Sequence, residues 1–240
     1  IPRITPLRNI YTKIGTTSGN LWFCEEFVSK IGRITPTGVI TEFQLPPSSL
    51  PGDIKTGSDG NLWYADYSLN SIGKLTTTGS VTEYPIPSGS SPENLTLGPD
   101  GNMWFSETSA SVGKITVTGS ITEYPTGNKS PTSGMAVGGD GNPWFGEFSR
   151  RYIGRATTSG TVTSFYIRGD HPDSVTAGGP GNDLFIDIDQ GLARYNIRTH
   201  GFDILGFPSA KSPIGPTALG GDGNIWFTQG DANDVGIYVR

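Results

Sequence analysis

The sequence is poor in cysteine, histidine and charged residues. Of 240 residues, one is cysteine and two are histidine, and only 16% carry charge. The lone Cys24 excludes an intramolecular disulfide. Lys and Arg number 17 against 22 Asp and Glu, for a net charge of −5, and the basic residues are spread along the chain. Nothing therefore predicts a nucleic-acid surface, and no apolar run approaches the ~20 residues that span a bilayer.

Glycine and proline, by contrast, are abundant, with 35 and 18 residues. Together with much Ser and Thr, this composition is typical of many short strands joined by tight turns, and it argues against long helices. The length suits one large all-β domain, and we predict a single domain over residues 1–240.

One short phrase, Asn-x-(Trp/Leu)-(Phe/Tyr), recurs six times at steps of 40 to 42 residues. Its third residue is Trp22, Trp63, Trp104, Trp144, Leu184 and Trp226. Regular recurrence at this spacing is typical of a repeat architecture in which each unit packs on the next. The large aromatic residue is the natural filler between units.

Each unit predicts four antiparallel strands. In the third unit these are 94–98, 103–107, 111–117 and 120–125, with an Asp-Gly turn between the first two and a Thr-Gly turn between the last two. Glycine accepts the positive φ that a tight hairpin requires. A four-stranded unit of about 40 residues is a β-propeller blade. The sequence therefore predicts an all-β, six-bladed propeller of four-stranded antiparallel blades.

The end of the repeat predicts how the ring closes. The last unit stops at its third strand, 234–240, whereas residues 1–5 align with the tail of a fourth strand. We therefore expect the N-terminal segment to pair with the last blade and close the ring.

The phrases "DGNLWY", "KIGRITPTGVITEF" and "GKITVTGSITEYP" resemble those of the streptogramin (virginiamycin B) lyase family, and NHL-repeat propellers are similar more distantly. The resemblance runs through all six units, although family members have seven blades. It implies a magnesium-assisted elimination that opens a cyclic depsipeptide at its ester bond. It also implies catalytic histidines just after the proline that opens the innermost strand, with acidic metal ligands nearby.

The positions that the resemblance assigns to this chemistry carry other residues. After the corresponding prolines the chain has Gly52, Glu93, Thr132, Asp173 and Ile214, and beyond Trp226-Phe227 it has Thr228, Gln229 and Gly230. We therefore lean away from catalysis and assign no metal ligand. Magnesium and calcium stay open as cofactors.

A carboxylate follows the repeat aromatic by three residues in five units. These acids are Glu25, Asp66, Glu107, Glu147 and Asp187. A metal or acid–base role is one interpretation. The simpler one is structural: each acid would fix a backbone turn or pair with a base that recurs on the third strand. These bases are Arg33, Lys74, Lys114, Arg155 and Arg194. Cys24 is predicted to be a small packing residue and His200 a solvated turn residue.

Residues that the repeat does not require carry more information about function. The second-to-third-strand loop of the fourth unit adds Phe148, Arg150, Arg151 and Tyr152, and the next connection brings Arg168, Asp170, His171 and Asp173. In a propeller these segments share one rim, so we expect them within about 10–15 Å of one another. We predict a ligand-binding site at Arg150, Arg151, Tyr152, Arg168, Asp170 and His171. A solvated charged rim is the alternative.

Three functions follow from this pattern. The first is a non-catalytic module, extracellular, cell-surface or periplasmic, that binds a small molecule, glycan or protein at the rim. The second is a lyase with a relocated site, in which His171 acts as base beside Asp173 or Glu147. The third is a structural repeat unit of a larger extracellular assembly. The oligomeric state stays open.

Overall fold

The computed structural model describes residues 14–17, 19–127, 132–168, 171–178, 181, 183–189, 191–205, 214–229 and 234–239. These residues form 23 strands and one short 3₁₀ helix, Glu26–Val28. No helix among them is long and apolar enough to cross a membrane.

The first three blades are four-stranded antiparallel sheets in which neighbours in sequence are neighbours in the sheet. Blade 1 contains β1 (Ile14–Thr17), β2 (Asn20–Glu25), β3 (Lys30–Ile34) and β4 (Ile40–Gln44). Blade 2 contains β5 (Pro51–Thr56), β6 (Leu62–Asp66), β7 (Ser71–Leu75) and β8 (Val81–Pro85). Blade 3 contains β9 (Pro92–Leu97), β10 (Met103–Glu107), β11 (Ser111–Ile115) and β12 (Ile121–Pro125).

The last three blades follow the same order. Blade 4 contains β13 (Thr132–Val137), β14 (Pro143–Glu147), β15 (Tyr152–Ala156) and β16 (Val162–Tyr166). Blade 5 contains β17 (Ser174–Ala177), β18 (Asp183–Ile188), β19 (Gly191–Asn196) and β20 (Phe202–Leu205). In blade 6 the described strands are β21 (Ile214–Leu219), β22 (Ile225–Gln229) and β23 (Asp234–Tyr238). The predicted six-bladed all-β propeller is confirmed. The predicted closing segment, residues 1–5, lies outside the described residues.

The recurring Asp-Gly-Asn phrase builds the turn between the first two strands of a blade. In blade 2, Asp59 Oδ1 accepts hydrogen bonds from the Asn61 backbone N–H and from Trp63 Nε1–H, both at 3.1 Å. Gly60 adopts φ +75°, a conformation that glycine reaches without strain. The same aspartate–tryptophan bond recurs in blades 3, 4 and 6. The turn therefore holds the aromatic ring that packs between blades.

Successive blades are joined by apolar packing around this aromatic residue. Trp63 is fully buried in one cluster with Leu95, Met103 and Phe105 of the next blade. Cys24 is likewise fully buried between blades 1 and 2, as predicted. Burial of this kind contributes roughly 25 cal/mol for each Å² of apolar surface, so the interfaces between blades hold the ring together.

The recurring acids stand at or next to the end of the second strand of a blade, and we call them the strand-end acids. Their predicted pairing with third-strand bases is wrong. Lys74 Nζ lies 5.0 Å from the centroid of the Trp63 ring and 2.6 Å from Asp59 of the turn. In the strand register, the strand-end acid Asp66 lies opposite Ser71, at the other end of the same hairpin. Because Trp63 is directly opposite Lys74, the base is three residues away from the acid along the ladder.

Asp66, Glu107 and Glu147 instead bond to nearby backbone or hydroxyl groups. Asp66 Oδ1 accepts from the backbone N–H groups of Leu50 (3.0 Å) and Leu69 (3.1 Å). Glu147 accepts from Ser164 Oγ–H at 2.5 Å. The carboxylates are fully buried. These acids therefore have a structural role, as predicted, but their partners are backbone and hydroxyl groups and not the third-strand bases.

In blade 5 the predicted register was wrong by one residue. Phe185, not Leu184, takes the position of the repeat aromatic, because it is paired with Arg194 as Trp144 is paired with Arg155. The glycine before the turn, Gly178 in blade 5, also shows that Phe185 takes the place of Trp144. A Cβ on Gly178 would lie 2.7 Å from the Phe185 ring, like the equivalent contact with Trp144. The repeat steps become 41 residues on both sides of this blade.

The corrected register moves the carboxylate of blade 5. Asp187 stands where the other blades have small or neutral residues, such as Cys24 and Ala65, and Ile188 takes the place of the strand-end acid. A buried carboxylate at this position is not required by the repeat.

Candidate functional site

The connection that enters blade 5 is held tightly against blade 4. The Gly134 backbone N–H donates to the Asp173 carbonyl at 2.8 Å, and Ser133 Oγ–H donates to the Pro172 carbonyl at 2.7 Å. A Cβ on Gly146 would lie only 2.3 Å from that Pro172 oxygen. Glycine at position 146 is therefore what allows the connection to come this close.

His171 lies in this connection, and two contacts fix its side chain. Its Nδ1 lies 2.6 Å from Asp189 Oδ2, and its ring stacks on Phe148 with centroids 5.5 Å apart. The backbone of His171 has φ +43°, the left-handed region that non-glycine residues rarely adopt. Because Asp189 occupies Nδ1, the second ring nitrogen, Nε2, is left for a ligand. About half of each side chain in the pair is exposed.

A depression of about 190 Å³ lies beside the stacked rings. Its lining residues, the mouth site, are Glu93, Thr132, Ser133, Phe148 and Asp173. They come from the starts of β9 and β13, from the β14–β15 loop and from the connection into blade 5. The Thr132 and Ser133 hydroxyls are engaged with backbone groups. The other lining side chains are two carboxylates and an aromatic ring.

Asp187 lies next to this site and is 5% exposed. Burial raises its pKa from an ordinary 3.8 to about 8, with smaller contributions from the charges of Asp173 and Asp189. The carboxyl group is therefore protonated at neutral pH. Sequence reasoning missed its position because Leu184 and Phe185 are both apolar, so either could be matched to the repeat aromatic.

The structure divides the rim between two depressions, whose described lining residues do not overlap. Arg150, Arg151 and Tyr152 line a second, shallower depression of about 430 Å³ together with Ser149 and Tyr166. Arg168 is exposed. Asp170 lies outside the described residues. Glu147 is buried and bonded to Ser164, so it does not line the mouth site.

The other histidine, His200, contacts side chains of the propeller and lies away from the mouth site. His200 lies in the β19–β20 turn, exposed as predicted. Its Nδ1 is 2.6 Å from the Tyr195 hydroxyl, and its ring stacks on Phe165 of blade 4 at 5.1 Å.

The innermost strands surround a central tunnel with a cavity of about 450 Å³. Asp53 and Lys55 of blade 2 form an ion pair in its wall at 2.8 Å. Asp53 also accepts from the Leu95 backbone N–H of blade 3 at 2.8 Å, which ties the two blades together.

The residues that the structure describes do not fit the magnesium that the family resemblance implies. Across the described part of the chain, no three His, Cys, Asp or Glu side chains converge so that they could hold a metal ion. Hard divalent cations require several oxygen ligands around one point. No chemistry at the mouth site is therefore assigned to a metal.

Comparison with known proteins points to one family. The model of the virginiamycin B lyase family matches residues 9–199. A catalytically inactive variant of virginiamycin B lyase from Staphylococcus aureus, solved with quinupristin, is 32% identical with a TM-score of 0.88, covering 97% of this chain and 81% of that one. Selenomethionine-substituted virginiamycin B lyase from Staphylococcus aureus is 33% identical, with a TM-score of 0.87 and coverage of 95% and 80%.

A streptogramin B lyase structure is 28% identical, with a TM-score of 0.85 and coverage of 95% and 82%. A search of curated proteins gave no match.

Proposed function

Because the chain belongs to the virginiamycin B lyase family, we propose that it is a ligand-binding propeller of this type, which holds a cationic small molecule at the mouth site without cleaving it. The observation that carries the proposal is the Phe148–His171 stack, held by Asp189, beside a depression with two carboxylates. These residues are not required by the repeat.

The charge of the site favours a cation. Glu93 and Asp173 line the depression, Asp189 lies beside it, and the Phe148 ring offers the negative face of its π system. A cation over an aromatic face gains about 0.5–2 kcal/mol, more where water is excluded. A carboxylate partner strengthens the hydrogen bonds of an ammonium group.

The residue pattern supports binding without cleavage. The positions that the resemblance assigns to catalytic histidines hold Gly52, Glu93, Thr132, Asp173 and Ile214. A relative has been solved with quinupristin, which makes this compound the natural first ligand to test.

One observation favours a lyase as the second candidate. A carboxylate on Nδ1 orients the His171 imidazole as in other general bases. Nε2 would take a proton from the carbon next to the one that bears the ester oxygen. That electron pair would form a C=C bond, the C–O bond would break, and the oxygen would leave as a carboxylate.

Calorimetry and chromatography with quinupristin separate the two candidates. Elimination gives a product of the same mass, so the linear form is detected by retention time. We expect binding without product, weakened at least tenfold in His171→Ala and in Asp173→Asn. The control is His200→Ala, which removes the other histidine and leaves the mouth site intact. Product that disappears in His171→Ala would establish the lyase, and equal binding by all variants would refute the site.

A further inference from the structure

The shallow depression on blade 4 is lined by side chains that the equivalent positions of blades 2 and 3 do not have. We call its lining residues, Ser149, Arg150, Arg151, Tyr152 and Tyr166, the arginine corner. Tyr152 is paired with Tyr166 across β15 and β16. The equivalent pairs are serine with proline in blade 2 and in blade 3. The propeller fold therefore does not demand these side chains.

Positive charge concentrates at this corner of a chain whose net charge is −5. Arg150 and Arg151 are adjacent and exposed. The Ile167 backbone N–H donates to the Arg151 carbonyl at 2.9 Å, which brings the next residue, exposed Arg168, to the same edge. Among the described residues that line the depression there is no carboxylate. An anion is therefore attracted here, in contrast to the mouth site.

The two tyrosines add a surface for stacking. Their rings form an edge-to-face pair with centroids 5.6 Å apart and planes at 74°. The Tyr166 side chain is 59% exposed although it is large and apolar over most of its surface. Exposed aromatic rings beside polar groups mark binding surfaces more often than scattered apolar residues do.

We infer that the arginine corner is a second binding site, which takes a sugar ring that carries a carboxylate. The guanidinium fork of Arg150 matches a carboxylate in two parallel hydrogen bonds, and Arg151 and Arg168 add positive charge nearby. The Tyr166 ring covers the apolar C–H face of the sugar, and Ser149 and the tyrosine hydroxyls meet its hydroxyl groups. This site is independent of the proposed function, because it has the opposite charge and no residue in common with the mouth site.

Binding of tetragalacturonate, measured by calorimetry or by ligand-observed NMR, tests the inference. The methyl-esterified tetramer has the same rings without charge, and we expect it to bind at least tenfold more weakly. Arg150→Ala/Arg151→Ala and Tyr166→Ala should each lower the affinity at least tenfold. Circular dichroism spectra and the melting temperature should be unchanged in these surface variants, which would show that the fold is intact.

Three controls decide the outcome. Arg198→Ala removes an exposed arginine from the opposite rim and should leave affinity unchanged. A sulfated oligosaccharide tests charge alone, and binding as tight as the uronate would overturn the assignment to a carboxylate sugar. His171→Ala should not affect uronate binding, whatever it does to quinupristin. Absence of uronate binding, or equal binding of the methyl ester, would also overturn the inference.

Discussion

Asp187 is expected to make the propeller less stable as the pH rises. Its pKa is raised from 3.8 to about 8, chiefly by burial. Between these values the folded protein binds a proton that the unfolded chain releases, so the free energy of unfolding falls as the pH rises and levels off above pH 8. At about 1.4 kcal/mol for each pH unit, the difference corresponds to about 6 kcal/mol at most. Relaxation and water penetration reduce this, and we expect about 2–3 kcal/mol.

Asp187→Asn removes this titration and keeps the shape of the side chain. The variant should come close to the wild type at pH 4, where the carboxyl group is protonated in the folded state and partly protonated in the unfolded chain. It should be more stable by about 2–3 kcal/mol at pH 8 and above. Urea unfolding, followed by circular dichroism at intervals of one pH unit, gives both curves.

A second variant checks the cause. Asp173→Asn removes one of the charges that disfavour ionisation of Asp187, so the fall in stability should end at a lower pH. The reasoning is refuted if Asp187→Asn shifts stability by the same amount at pH 4 and pH 8, because an effect independent of pH would come from packing.

Three further predictions concern other parts of the molecule. Gly146→Ala should cost about 1–3 kcal/mol in urea unfolding and weaken quinupristin binding, because its Cβ would lie 2.3 Å from the Pro172 carbonyl; an unchanged affinity would contradict the argument for close approach. Lys74→Ala should cost about 1 kcal/mol, since Nζ lies over Trp63, and Lys74→Met, which keeps most of the chain, should recover part of it in the same assay. Glu107→Gln should stabilise the protein above pH 7 and not at pH 4, because burial and a nearby glutamate raise the pKa of Glu107 to about 7; equal melting temperatures of variant and wild type at pH 8 would count against this.

The repeat made most of the fold predictable. A period of about 40 residues with turn signals at constant places leaves few architectures, and the strands of blade 3 lie within a few residues of their predicted bounds. The register of blade 5 was not predictable from the phrase alone. Leu184 and Phe185 are both apolar, and the pairing of Phe185 with Arg194 and the contact of Gly178 with its ring show which of them takes the position of the repeat aromatic.

The candidate site was predictable only in part. His171 was found because the repeat does not require it. Its partner Asp189 was missed, because the two meet only when the connection into blade 5 folds back over the end of β18. Sequence spacing carries no information on such a contact. Phe148 and Arg150 lie in the same loop, between β14 and β15, yet Phe148 lines the mouth site and Arg150 lines the other depression. The sequence does not show on which side of the loop each side chain lies.

The five tryptophans occupy one repeat position, and their environments differ in one case. Trp22, Trp63, Trp104 and Trp144 are fully buried, whereas Trp226 in blade 6 is 41% exposed. Intrinsic fluorescence therefore contains four emitters shielded from water and one within reach of a soluble quencher. Acrylamide or iodide should quench only this component at low concentration, and its loss in Trp226→Phe would assign it. The protein thus has a native optical reporter for blade 6, which can follow events in that blade without an added label.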